Sequence, residues 1–123
     1  MKKLDLSIII PTRNRSSMLT KTIKKLLKNT FFFQEIIIVD SSNKFHKSKI
    51  ATFQNMKKIK IKIFNSKPSI SLQRNIGLKK VANKRKYIMF LDDDLIFNKN
   101  AFKKMYYFIK KNKNLSGFGF NLN

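Results

Sequence analysis

Three of the six acidic residues in this 123-residue chain are consecutive, Asp92-Asp93-Asp94, against 28 lysines and arginines. A charge run normally marks a solvated face, but acids are too scarce here for the triplet to be filler. Neighbouring carboxylates repel one another unless a cation or hydrogen-bond donors compensate. Hard divalent ions take oxygen ligands, and magnesium uses one or two carboxylates and completes its shell with water and phosphate oxygens. The triplet therefore reads as a site for Mn2+ or Mg2+ that couples protein to diphosphate. The plainer alternative is an acidic cluster ahead of a helix N-terminus, where negative charge is also favourable. A fourth acid, Asp40, directly follows the apolar run Ile36-Ile37-Ile38-Val39. It could accept hydrogen bonds from a base or ribose, or cap the turn Ser41-Ser42-Asn43.

Other chemistries lack their parts. With no cysteine and His46 as the only histidine, a histidine or thiolate zinc site is excluded. A Ser-His-Asp triad would need His46, which lies in a polar, loop-like stretch expected to face solvent. The three glycines, Gly77, Gly117 and Gly119, build neither a P-loop nor a dinucleotide fingerprint.

The elements that must position these acids alternate between short β-branched runs and segments of helical period, the pattern of a parallel sheet covered by helices. The fold class is α/β, with a mostly parallel sheet of four to five strands flanked by helices. The first strand runs from Leu4 to Ile10 and stops at Pro11, which cannot donate to a ladder. A helix capped by Ser16 or Ser17 follows, with Leu19, Ile23, Leu26 and Leu27 on one face. Residues 35–39 form a strand buried on both faces. A weak amphipathic stretch over 47–56 leads to an edge strand at 59–64, whose strict alternation leaves one face exposed. Residues 69–83 read as a helix with Leu72, Ile76 and Val81 toward the core. A buried strand from Tyr87 to Leu91 ends at Asp92. The last helix begins near Asn98 or Asn100 and carries the stripe Phe102, Met105, Tyr106 and Ile109, and Leu115 to Phe120 is a candidate fifth strand. Carboxylates just past such strands lie where open α/β sheets bind ligands, and the ends at Asp40 and Asp92 can open onto one edge.

Taken together, Leu6-Ser7-Ile8-Ile9-Ile10-Pro11-Thr12-Arg13-Asn14-Arg15, Ile37-Ile38-Val39-Asp40-Ser41-Ser42, Leu72-Gln73-Arg74-Asn75-Ile76-Gly77 and Tyr87-Ile88-Met89-Phe90-Leu91-Asp92-Asp93-Asp94 resemble the four ordered landmarks of family-two glycosyltransferases. The resemblance implies a Rossmann-like GT-A half in which a nucleotide-diphospho-sugar, commonly a UDP-sugar, lies across the strand ends. It implies that Pro11, Thr12 and Arg13 border the base and that Asp40 meets the pyrimidine edge. Arg74 would lie near base or diphosphate, Asp92 or Asp93 would serve the ribose, and Asp94, with Asp92, would hold the metal. Gly77 is expected to permit close helix packing. Inverting members place a general base well beyond the acidic landmark, and no acid follows Asp94. The catalytic base is therefore unassigned. The expectation is one nucleotide-sugar-binding domain over 1–123, truncated before the acceptor-binding half, which a second chain could supply.

The formal net charge of +22 would ordinarily direct attention to nucleic acid or anionic lipid. The lysines, however, are scattered from Lys2 to Lys113, and only Arg13, Arg15, Arg74 and Arg85 offer the planar fork favoured for bases and phosphates. Compositional bias toward Lys, Asn, Ile and Phe accounts for the charge more simply than nucleic acid does. Peripheral contact with an anionic membrane stays open, as does a basic non-enzymatic domain or an inactive fragment. Met1-Lys2-Lys3 does not open a signal peptide, because Asp5 interrupts the apolar stretch behind it. The expected location is cytoplasmic, at most peripheral to the inner membrane face. The resemblance points to an acceptor glycan or glycolipid in cell-envelope polymer synthesis.

Overall fold

The computed structural model describes residues 3–82 and 85–119. Four strands form one parallel sheet: β1 (Leu6–Thr12), β2 (Glu35–Asp40), β3 (Lys60–Asn65) and β4 (Tyr87–Phe90), in the order β3-β2-β1-β4. The helices are α1 (Ser16–Leu26), α2 (Lys44–Ala51), α3 (Ile70–Lys80) and α4 (Ala101–Lys111), with short 3₁₀ turns after α1 and α2. β1 and β2 are buried along their whole length, as near-continuous isoleucine runs require of central parallel strands. No helix among the described residues is long and apolar enough to cross a membrane.

The two sheet faces are covered unequally. Ile8, Ile10, Ile36, Ile38 and Ile61 point to one side, where Leu19, Ile23 and Leu26 of α1, Ile50 of α2 and the Phe102, Met105, Tyr106 and Ile109 stripe of α4 close the main core. The alternate residues Ile9, Ile37 and Val39 face α3 through a thinner cluster completed by Phe64, Ile76 and Val81. α3 lies mainly across β1 and β2, so among the described residues its side of β4 is covered less. Ile88 and Phe90 are consequently exposed there, and β4 is an edge strand rather than the buried one expected.

Several local expectations shift for identifiable reasons. β1 runs on through Pro11 to Thr12, with Pro11 opposite Val39. Leu91 N–H bonds to Ile9 C=O and Ser41 N–H to Thr12 C=O, so strand alternation turns Pro11 toward the side where β4 has ended. Its missing N–H breaks no ladder bond there. α1 is capped by neither serine: Arg15 is the N-cap residue and makes no side-chain capping bond. Leu72 is exposed, while Gln73 and Gly77 are the buried positions of α3. Ile76 does pack on the sheet as its period implies, but the helix is seated as much by hydrogen bonding from Gln73 and close backbone approach at Gly77, which hydrophobic period cannot report. Residues 115–119 form no strand. The segment carries Gly117 and Gly119, which weaken a strand, and Phe118 folds back on Phe108 at a ring separation of 5.0 Å. Phe120 lies outside the described residues.

At the amino end of the sheet Glu35 is almost wholly buried. Burial raises its pKa most, but hydrogen bonds from Lys62, the Ser7 hydroxyl and Ala82 N–H outweigh that and hold it below its ordinary value of 4.5. The Lys62 Nζ lies 2.9 Å from one carboxylate oxygen and the Ser7 Oγ 2.8 Å from the other. A lowered carboxyl pKa contributes stability that is fully present above its unfolded value and is lost as pH falls through the folded one. Glu35→Gln is therefore expected to lower stability at pH 7 by about 2 kcal/mol and to flatten the acid limb of a pH-dependent urea series, which must otherwise match the wild type. A methyl group at Gly77 would run into Cγ2 of Ile9. Alanine normally gains about 1 kcal/mol over glycine inside a helix, but overpacking against a fully buried isoleucine costs about 1–3 kcal/mol. Gly77→Ala should thus be destabilising in urea unfolding, the reverse of the propensity ranking.

Candidate functional site

The carboxyl ends of the strands converge on one edge. β1 ends at Thr12, opposite Asp40 at the end of β2, and Asp40 in turn faces Asn65 of β3. The acidic triplet follows β4 on the other flank of β1. This is the switch point of the sheet, where the strand order reverses, with β2 and β3 on one side of β1 and β4 on the other, and open α/β sheets bind ligands beyond the carboxyl ends at such a point.

Thr12 and Asp93 join the two sides. The Thr12 hydroxyl donates to Asp93 Oδ2 at 2.9 Å, and the Thr22 hydroxyl of α1 donates to the Asp93 backbone carbonyl at 2.7 Å. Asp93 is buried at 6% exposure. That burial pushes its pKa up, against the opposing pull of the Thr12 hydrogen bond and the Arg15 charge. Asp92 and Asp94 are exposed on either side of it. Arg15 lies 3.4 Å from Asp93 Oδ1 and donates to Asp94 Oδ2 at 2.8 Å. The bond to Asp94 and the charge of Asp93 raise the pKa of this guanidinium. Arg74 of α3 reaches Asp92 at 3.9 Å and lies against the Phe90 ring, 5.7 Å from its centroid. Its Nε is a buried donor with no partner, the kind of orphan that an anion would satisfy.

A lattice of short bonds sets the loop shapes. Asn14 holds a positive φ of 53°, a conformation asparagine tolerates better than most residues. Its N–H donates to the Ser42 hydroxyl at 2.7 Å, and its Oδ1 accepts from Asn43 N–H at 2.8 Å. Asp40 is buried and accepts from Ser42 N–H at 2.9 Å, so it shapes the turn after β2 while standing at the strand end. His46 does not lie in a solvent-facing loop. It sits in the first turn of α2, and its Nδ1 is 3.3 Å from Ser16 N–H and 2.8 Å from Ser16 Oγ. A main-chain N–H can only donate, so Nδ1 is the acceptor and the proton resides on Nε2. Pro11 is buried behind this edge and Arg13 is exposed on it.

Gln73, Asn14 and Arg15 lie within the family landmarks but carried no site role in the sequence reading. Gln73 Nε2 donates to the main-chain carbonyls of Thr12 at 3.0 Å and Val39 at 2.9 Å, locking α3 onto the ends of both central strands. Its only signal in the sequence is a polar residue at an inward helical position. The sequence-predicted residues Thr12, Asp40, Arg74, Asp92, Asp93 and Asp94 do come to one edge. No three acidic or histidine side chains converge as a ready-made cage among the described residues. Two exposed carboxylates just past the strand ends nevertheless suit a cation that takes one or two protein carboxylates and completes its shell with phosphate and water.

Residues 7–120 match the family described as Glycosyl transferase family 2. The chain belongs to glycosyl transferase family 2. Within that family it is 38% identical over 109 residues to the minor teichoic acid biosynthesis protein GgaA of Bacillus subtilis, covering 83% of this chain and 24% of that protein. It is 32% identical over 124 residues to the poly(ribitol-phosphate) beta-N-acetylglucosaminyltransferase TarP of Staphylococcus aureus, covering 91% of this chain and 34% of TarP. Crystalline S. aureus TarS, residues 1–349, superposes with a TM-score of 0.73 at 22% identity, over 95% of this chain and 38% of that one. The likeness to TarS establishes the GT-A type of fold. The chain thus spans well under half the length of each of these three proteins. Family-two glycosyltransferases generally use divalent metals.

Removing the Gln73 amide would take one donor from each of two buried carbonyls at the strand ends that carry Thr12 and Asp40, while the Thr12 carbonyl keeps the Ser41 N–H. Gln73→Leu is expected to cost about 1–3 kcal/mol in chemical denaturation, above the exposed neighbour control Asn75→Leu at about 0.5 kcal/mol or less.

Proposed function

We propose that this chain is the donor-binding part of a glycosyltransferase, holding a nucleotide-diphospho-sugar, with UDP as the nucleotide, across the ends of β1, β2 and β4. The observation that carries this reading is the junction at the switch point, where Thr12, Asp93 and the two exposed carboxylates meet beside Arg74 with its unpartnered Nε. Pro11, Thr12 and Arg13 border the base, and Asp40 presents its second carboxylate oxygen to the pyrimidine edge. Arg74 pairs with phosphate oxygens through its planar fork, and Asp93, fixed by Thr12, orients the ribose side. Asp94 and Asp92 hold Mn2+ or Mg2+, which offsets the negative charge of a departing nucleoside diphosphate.

The other carboxylates have their own tasks. Asp5 and Glu35 sit at the far end of the sheet with Arg85 and Lys62, and Asp40 closes its turn. On this reading the base that deprotonates the acceptor hydroxyl comes from protein outside these 123 residues, in the same polypeptide or a second one. The names of GgaA and TarP speak of teichoic acid and of poly(ribitol-phosphate), and a chain of net charge +22 is electrostatically matched to a polyanionic acceptor. We therefore place the acceptor among cell-envelope glycans or glycolipids, with the chain working at the cytoplasmic side of the membrane as a peripheral component.

Calorimetric titration of UDP into the folded chain tests this directly. Binding is expected with Mn2+ and not with EDTA, to weaken at least about tenfold in Asp94→Ala and Asp40→Ala, and to persist at about 0.5 M salt, where lysine-driven polyanion binding collapses. Metal-independent binding that disappears with salt would instead support a basic non-enzymatic domain.

A further inference from the structure

Arg15 occupies a position that the proposed donor site does not use. Its guanidinium bridges two of the three consecutive carboxylates, 3.4 Å from Asp93 Oδ1 and 2.8 Å from Asp94 Oδ2, while the other oxygen of Asp93 is taken by Thr12. The main chain beneath it is fixed, because Asn14 is locked to the β2–α2 loop through Ser42 and Asn43 and Arg15 itself is the N-cap residue of α1. The side chain is not fixed in the same way. It is 46% exposed and makes no side-chain capping bond to its own helix, so it can swing into solvent on a rooted backbone. A positive group held by its tether against Asp93 and Asp94 has the electrostatic role of a cation in that place.

Resting on the donor-site reading above, we propose that Arg15 is a built-in counter-ion that competes with the divalent cation for Asp94. In the metal-free chain it relieves the repulsion among adjacent carboxylates and keeps the strand end in shape. Arrival of a divalent ion requires the guanidinium to leave Asp94, which lowers apparent metal affinity. An exchange of one cation for another at a preformed strand end also avoids rebuilding the loop when donor and metal depart. Arg74 does not duplicate this function, since it stands 3.9 Å from Asp92 on the opposite flank.

Mn2+ binding is measured by loss of the free-ion electron paramagnetic resonance signal, for wild-type chain, Arg15→Gln and Arg15→Lys, each with saturating UDP and each checked for folding by circular dichroism. Arg15→Gln is expected to bind Mn2+ about fivefold more tightly than wild type, the equivalent of losing one exposed ion pair, with Arg15→Lys between the two. In the unaltered chain, Mg2+ should shift the Arg15 Nε–H resonance in a nitrogen-15 spectrum, and this readout survives if a variant does not fold. Equal or weaker Mn2+ binding by folded Arg15→Gln, or an Arg15 resonance indifferent to Mg2+, overturns the counter-ion role while leaving the donor site standing. Failure of every folded chain to bind Mn2+ overturns both.

Discussion

A carboxylate withdrawn from water must be given donors or a cation in exchange, and the arrangement of this domain turns on how Asp93 meets that demand. Its donor, Thr12, stands at the end of a strand whose position is set by β2 on one side and β4 on the other. One hydrogen bond of 2.9 Å therefore ties the post-β4 loop to the middle of the sheet. The Thr22 bond to the Asp93 carbonyl ties the same loop to α1. With Asp93 turned inward, Asp92 and Asp94 are exposed on either side of it. The buried acid is the anchor that presents the two exposed ones.

The neighbouring loops depend on the same economy of backbone groups. β1 and β2 are buried on both faces, so the carbonyls at their ends cannot turn to water, and the Gln73 amide serves both. The polar residue accordingly sits on the inward side of α3, flanking the glycine that lets the helix approach Ile9. Asn14 accepts a positive φ because two hydrogen bonds to the next loop hold it there, and that backbone bend is what delivers Arg15 to the carboxylates. Loops beyond strand ends are ordinarily the mobile part of an α/β domain. Here the β1–α1 loop is cross-linked by polar bonds to the loops after β2 and β4, a preorganised rim beyond the strand ends.

The sequence carried the parallel α/β class, the order of elements and the apolar faces of α1 and α4, because those follow from hydrophobic period. It also carried the acids at the strand ends, since a triplet in so basic a chain is conspicuous. Misreadings arose where hydrogen bonding overrode hydrophobic patterning. Leu72 belonged to a helical stripe by period yet is exposed, because α3 is seated by Gln73 and Gly77. Pro11 looked like a strand terminator, but it falls where no partner needs its N–H. His46 looked solvated because its partner, Ser16, is distant in sequence and appeared free to cap its own helix. The exposure of Ile88 and Phe90 was hidden because the reach of α3 across the sheet is a tertiary property. Arg15 was visible as one of four arginines, but its pairing was not, as its partners lie 78 and 79 positions away and only the fold brings them together.

The six acids also show how one residue type takes opposite roles at the two ends of a sheet. At the amino end, Glu35 receives donors from Lys62, Ser7 and Ala82, and Asp5 is held by Arg85. The effect of that cluster is to stabilise the charged form of Glu35 inside the protein. At the carboxyl end, Asp92 and Asp94 each face a single partly exposed arginine, and Arg74 keeps an unpartnered Nε. Surface ion pairs of that kind contribute little to stability, about 0–1 kcal/mol, and are correspondingly cheap to exchange. A carboxylate that is buried and fully paired, as Glu35 is, is committed to the fold, whereas exposed carboxylates with one partner each, as Asp92 and Asp94 are, exchange partners cheaply. Charge type alone does not separate the two; burial and the number of internal donors per carboxylate do.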